Sequence, residues 1–321
     1  MGNLNSEDKR PGAKPSTHPL GDLGSMREII QKINRARSSP ENETPGKTRL
    51  VLEQKPFVEE SARAGQRDPF EIAEEMVRAA RETSGARRVE LARRAIQVHQ
   101  DCADAYVILA EETARSLDAA RHLYEEGVRA GERALGKSVI AEGPVGFGSA
   151  PGAQSYIRAR TGLARCLWSL GCRQEAIGHC ADLLRLDPSD DQGIRYLLVN
   201  WLLHEDLKED LGSLFDAFEN DKETSWLYTR ALWAFCQEGA CPEADGYLEE
   251  AFRNNPYIPS YLLGLKKMPG ILPESVEPGD EREAVSYIAE ALDTWLKTEG
   301  ALEWLILTLP RALQRTRLEP S

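Results

Sequence analysis

Long apolar runs are what this chain of 321 residues most plainly lacks. The one nearly unbroken stretch near its end, Trp304 to Leu309, is far shorter than the roughly 20 apolar residues a membrane helix requires. The start is equally poor in apolar sequence, with Glu7, Asp8, Lys9 and Arg10 set among Pro and Gly, so the pattern of a secretory signal is missing. A cytoplasmic protein is the expectation. Cysteine is scarce too: the six thiols form no C-x-x-C pair, and Cys166, Cys172, His179 and Cys180 lack zinc-knuckle spacing, so Cys166 and Cys180 are expected as small core residues within helices. Cys236 and Cys241 flank a turn and are expected to stay reduced in the cytoplasm. The five histidines, at positions 18, 99, 122, 179 and 204, make no H-E-x-x-H arrangement. The glycine-rich stretch Gly143 to Gly152 lacks G-x-x-x-x-G-K-[ST], and no strand pattern precedes it. With no nucleophile, base or phosphate cradle in view, the sequence reads as non-enzymatic, without cofactor or metal.

What the chain does contain is a repeated punctuation. Gly171, Ala176 and Pro188 recur as Gly239, Ala244 and Pro256, a shift of 68 residues or 2 × 34. Thirty-four is the period of the tetratricopeptide repeat, a helix-turn-helix unit that buries its apolar face only by stacking on neighbours. In the unit from Ile157 to Asp190 the first helix carries Leu163, Leu167 and Leu170 on one stripe, and the second carries Ile177, Leu183 and Leu184. Gly171 suits a left-handed turn, Ala176 a close helix crossing, and Pro188 a helix stop. A second unit spans Ser225 to Ile258. The 34 residues from 191 to 224 fit between as a degenerate unit without the turn glycine or closing proline. Upstream, Ala103 to Gly131 reads as a shortened unit, and Val89 to Val98 as the second helix of an earlier pair. The expected architecture is therefore an all-α, tetratricopeptide-like helical-hairpin solenoid of four to five pairs over residues 66–318, with a glycine-rich insertion at 136–154.

Residues 1–65 form a separate zone, rich in proline and poor in aromatics, and are expected to be largely disordered. One island interrupts it. Ser25 and Glu28 make a capping box, Met26, Ile29, Ile30 and Ile33 share a face, and Lys32, Arg35 and Arg37 follow, which predicts a short amphipathic helix over 25–37. Such a helix could cover a groove of its own chain, bind a partner or lie on a membrane. Met1, Gly2 and Ser6 also satisfy the M-G-x-x-x-[ST] myristoylation pattern.

Charge bears on the ligand. The formal net charge is −12, while residues 1–65 hold 11 Lys and Arg against 9 Asp and Glu, so the remainder stands at −14. An acidic solenoid repels nucleic-acid phosphates and favours a protein or peptide, although acidity is also the ordinary means of staying soluble. Projecting the inward repeat positions of the first helices nominates Arg158, Arg165 and Trp168, then Arg195, then Trp226, Arg230 and Trp233 as a concave wall. Arginines beside aromatics suit an extended peptide carrying carboxylates. The competing reading makes the tryptophans core and the arginine stems a cover for apolar surface.

Several motifs resemble the suppressor of tumorigenicity seven family and its bacterial tetratricopeptide relatives. They are Asp101-Cys-Ala-Asp-Ala-Tyr106, Leu109-Ala-Glu-Glu112, Ala130-Gly-Glu132, Asn255-Pro-Tyr-Ile-Pro-Ser-Tyr-Leu-Leu263, Gly279-Asp280 with Glu283-Ala284 and Tyr287, and Trp295 with Glu299-Gly-Ala-Leu302. The resemblance covers about residues 87–305 and implies a repeat scaffold with no established catalytic residues. The animal members have membrane-spanning segments that this sequence lacks. The expected function is a non-catalytic scaffold holding a protein or peptide on the concave face; the alternative is a peripheral membrane adaptor anchored through its N-terminal segment.

Overall fold

A computed structural model describes residues 68–142, 147–148, 150–273 and 275–316, and every regular element among them is a helix. The expected helix at 25–37 and the Met1-Gly2 pattern lie outside the described residues. Five helical pairs follow one another along the chain. They are α1 (Pro69–Arg81) with α2 (Gly85–Val98), α3 (Ala103–Thr113) with α4 (Leu117–Leu135), and, after the short α5 (Lys137–Glu142), α6 (Ala153–Ser169) with α7 (Arg173–Leu186). Next come α8 (Ile194–His204) with α9 (Lys208–Ala217) and α10 (Thr224–Glu238) with α11 (Pro242–Asn254). A single turn, α12 (Ile258–Leu262), then leads to α13 (Glu281–Lys297) and α14 (Ala301–Thr316).

Three of the hairpins, α6/α7, α8/α9 and α10/α11, turn at a residue with positive φ. Gly171, at φ 84°, follows α6, and the Cys172 amide donates back to the Leu167 carbonyl at 2.9 Å, closing the helix end. Gly239, at φ 69° and ψ −154°, ends α10 in an extended positive-φ conformation that is likewise open chiefly to glycine. The degenerate unit solves the problem without glycine: Asp206 takes φ 56°, and the Leu207 amide donates to the Leu202 carbonyl at 3.0 Å. An aspartate tolerates this conformation better than most side chains.

Close approach of helices depends on missing side chains. Ala176 is fully buried at the α6/α7 crossing, as its small size suggested. A Cβ on Gly131 would lie 2.9 Å from the Tyr156 ring, and one on Gly162 would lie 2.2 Å from the Tyr124 ring, so glycine sets how closely α4 and α6 pack. The glycine-rich region contributes Phe147, which is buried edge-on against Tyr156.

Stacking makes the core continuous. A small cluster including Ala73, Val77, Leu91 and Ile108 unites α1 to α3, and a larger one runs from α3 to α14 through Tyr156, Leu167, Trp201, Trp226, Trp295 and Leu305. Cys166 and Cys180 belong to this core; burial pushes their thiols up to about 11 and about 12, which removes them from thiolate chemistry near neutral pH.

Candidate functional site

The first helices α6, α8 and α10 form the row on which the sequence places a ligand, and α13 lies across that row. It packs on both α8 and α10, while Glu290 of α13 is ion-paired to Arg165 of α6. Family-motif residues hold it there. Glu283 Oε2 accepts hydrogen bonds from Thr224 Oγ1 at 2.7 Å, Asn255 Nδ2 at 2.9 Å and the Gly279 amide at 2.7 Å. Asn255, fully buried, also donates to the Asp280 carbonyl, and its Oδ1 accepts from the Tyr257 amide. Asp280 caps α13 by accepting from the Glu283 amide at 2.7 Å. Within the helix, Trp295 Nε1 donates to Tyr287 Oη at 2.8 Å, and Tyr287 packs against Tyr228 of α10. The Asn-Pro and Gly-Asp motifs are thus a clamp between α11 and α13.

The nominated arginines already hold groups of the chain itself. Arg158 binds Asp104 through two hydrogen bonds of 2.8 and 2.7 Å, joined by Ser155 at 2.7 Å and Arg81 at 2.7 Å. Burial pushes the Asp104 carboxyl up, but the Arg158 and Ser155 hydrogen bonds and the two guanidinium charges outweigh it and hold the group below its ordinary range. Arg195 bridges Asp190 at 2.9 Å and Asp221 at 2.6 Å, and its guanidinium stands 4.3 Å from the Tyr196 ring. Arg230 donates to Tyr247 Oη at 3.1 Å and covers that ring.

The tryptophans are mostly interior. Trp226 has no exposed surface, Trp168 is 8% exposed and stacks on Trp201 at 4.5 Å, and Trp233 tilts against Phe215. Trp226 therefore departs from its expected place on an open wall: apolar periodicity marks a residue as facing other helices, and here those helices enclose it. The competing reading, tryptophans in the core, describes these positions better. Between α6, α8 and α13 remains a pocket of about 150 Å³ bordered by Trp168, Arg173, Trp201, His204, Glu290 and Asp293. Arg173 stacks 4.4 Å over Trp168, so the pocket's own cation covers that aromatic face.

A second concavity was not foreseen. Helices α7 and α9 both pack on α8 but stand apart from each other, and a groove of about 550 Å³ opens between them. Ile177 and Leu184 of α7, Leu198 and Leu202 of α8, and Leu214 of α9 with Phe218 give it an apolar lining; Ala181, Arg185, Asp210 and Ser213 are exposed along it. Ile177, Leu184 and Leu214 were legible as apolar helix positions, but nothing local says that two such helices stay apart.

Among the described residues no three or more His, Cys, Asp or Glu side chains are placed to hold a metal ion, and no helix is long and apolar enough to cross a membrane. Fold and faces together define an all-α helical solenoid with one face closed by its own helix and one apolar groove open.

Comparison with known proteins gives the family. The model described as ST7 protein matches residues 62–233, and the chain belongs to that family. It is 29% identical over 269 residues to the suppressor of tumorigenicity 7 protein-like of Rattus norvegicus and of Homo sapiens, covering 73% of this chain and 45% and 44% of those proteins. It is 29% identical over 249 residues to the suppressor of tumorigenicity 7 protein of Macaca fascicularis, covering 66% of this chain and 44% of that protein. The chain spans less than half the length of these relatives.

Proposed function

We propose that this chain is a non-catalytic, cytoplasmic protein-interaction scaffold, built of tetratricopeptide-type hairpins, that seats a basic, apolar-faced helix of a partner protein between α7 and α9. One observation carries the reading: the α7/α9 groove is wide, apolar and uncovered among the described residues, whereas the row of first helices is overlaid by α13. Helix-in-groove recognition needs an apolar trough with charge at its rim. Asp210 on the α9 rim faces a basic residue of the partner helix and Arg185 on the α7 rim an acidic one, while the net charge of −14 outside residues 1–65 favours a partner that is basic overall.

The test is a titration of the full chain with a designed fluorescent peptide, helical, with Leu and Ile on one face and Lys on the other. Saturable binding is expected, with affinity falling on the order of tenfold or more in Ala181→Arg/Ser213→Arg, where exposed positions gain bulk and like charge. Both changes suit helix interiors, so folding should be retained. Binding that ignores these substitutions but is lost in Arg230→Glu would return the site to the first-helix row.

A further inference from the structure

We infer that the α7/α9 groove reads the direction of the helix it holds: Arg185 and Asp210 select a partner helix that runs antiparallel to α7 and α9, with an acidic side chain near its start and a basic one about two turns later. This rests on the groove reading above and adds to it the order of charges that the partner carries.

The direction of each wall follows from contacts at its ends. Nη1 of Arg173, the first residue of α7, lies 3.1 Å from Nδ1 of His204, the last residue of α8. Only Glu205, Asp206 and Leu207 separate α8 from α9, so the starts of α7 and α9 both meet the end of α8. At the other end Asp190, in the loop after α7, accepts from the Ile194 amide at the start of α8 at 2.7 Å, and the Arg195 guanidinium stands 5.0 Å from the Phe218 ring just beyond α9. The two walls therefore run the same way and opposite to α8.

Two charges mark the ends of this trough. Asp210 lies in the first turn of α9 and Arg185 in the last turn of α7, so they stand on opposite walls and at opposite ends. Both are free to meet a ligand. The Arg185 side chain is 64% exposed, and its neighbour Asp182, 3.7 Å away, is held more closely by Arg160 at 2.6 Å. Asp210 is exposed and has no ion pair among the described residues. From Ile177 to Arg185 the α7 wall rises about 12 Å, which in a partner helix is about eight residues.

A helix can satisfy that diagonal in two ways: acid before base when antiparallel to the walls, base before acid when parallel. Helix electrostatics decides between them. Acids stabilise the first turn of a helix and bases the last, so the acid-first partner is the better helix before it binds. Antiparallel seating also brings its positive N-terminal end to the C-terminal ends of α7 and α9, where the dipoles are negative. The apolar floor supplied by Leu198 and Leu202 is indifferent to direction, because hydrophobic contact is not directional.

Two fluorescent peptides test this; they share the Leu and Ile stripe of the designed helix and differ only in charge order, Glu early and Lys late or the reverse. The full wild-type chain is expected to bind the acid-first peptide more tightly, on the order of tenfold, and Arg185→Glu/Asp210→Lys should shift the ratio of the two affinities the other way by a similar factor. Comparing that ratio between the two proteins cancels any difference in helicity of the free peptides. Placement is read without a variant: a benzophenone at the N-terminus of the acid-first peptide should cross-link near Arg185 and Phe218, and one at its C-terminus near Ile177 and Asp210. A ratio unmoved by the double substitution overturns the inference and leaves both residues serving only their own helix ends. N-terminal cross-links at the Asp210 end overturn it as well. Equal binding of both peptides that is still weakened by Ala181→Arg/Ser213→Arg rejects the direction and keeps the groove reading. No binding by either peptide rejects both.

Discussion

Replacing Arg158 with Met is expected to destabilise the chain by about 3 kcal/mol at neutral pH, because it removes the two-pronged partner of a buried carboxylate. Breaking a buried pair typically costs about 3–5 kcal/mol, and the lower end applies because Arg81 and Ser155 still face Asp104. The pH dependence gives the sign. In the folded chain Asp104 is held below its ordinary value, so its contribution is present above the unfolded carboxylate pKa and is lost as pH falls through the folded one. Wild type and Arg158→Met should therefore differ in urea unfolding at neutral pH, and the gap should close as the pH falls through the lowered Asp104 pKa of the folded chain. Equal stability at neutral pH, or a gap that persists in acid, would contradict the role given to this pair.

Removing the Asn255 side chain should cost about 2–4 kcal/mol and loosen α13 before the rest of the stack. Asn255→Ala deletes the hydrogen bonds to the Asp280 carbonyl, to Glu283 and from the Tyr257 amide, leaving buried polar groups unpaired. The local signature separates this from general instability: hydrogen exchange should accelerate over residues 281–297 more than over α3 and α4. Uniform acceleration along the chain would mean that the clamp does not specifically anchor α13.

How far the sequence reaches is clearest from these two clusters. Helix periodicity and the Gly171 and Gly239 stops located the hairpins, because both signals are local and physical: one buried stripe, one residue at positive φ. The unit without a turn glycine was still placed correctly, since Asp206 performs the same turn. The site was less legible. Periodicity tells that Trp226 or Trp168 faces inward, but not whether it faces a ligand or another helix. Arg158 and Asp104 are 54 residues apart, and Arg165 and Glu290 are 125 apart, so no spacing rule pairs them. The α13 clamp was visible only as unexplained motif residues, Asn255, Gly279, Asp280 and Glu283, whose common purpose required the fold.

Assignment of binding to the outer groove stands on α13 closing the row of first helices. Photocross-linking from benzoylphenylalanine in place of Glu290, a position partly exposed beside Arg165, measures this directly. Cross-links are expected to map to α6 around Arg165 and to α8. Cross-links confined to α14, or none to α6 or α8, would show the row to be open and would contradict the account.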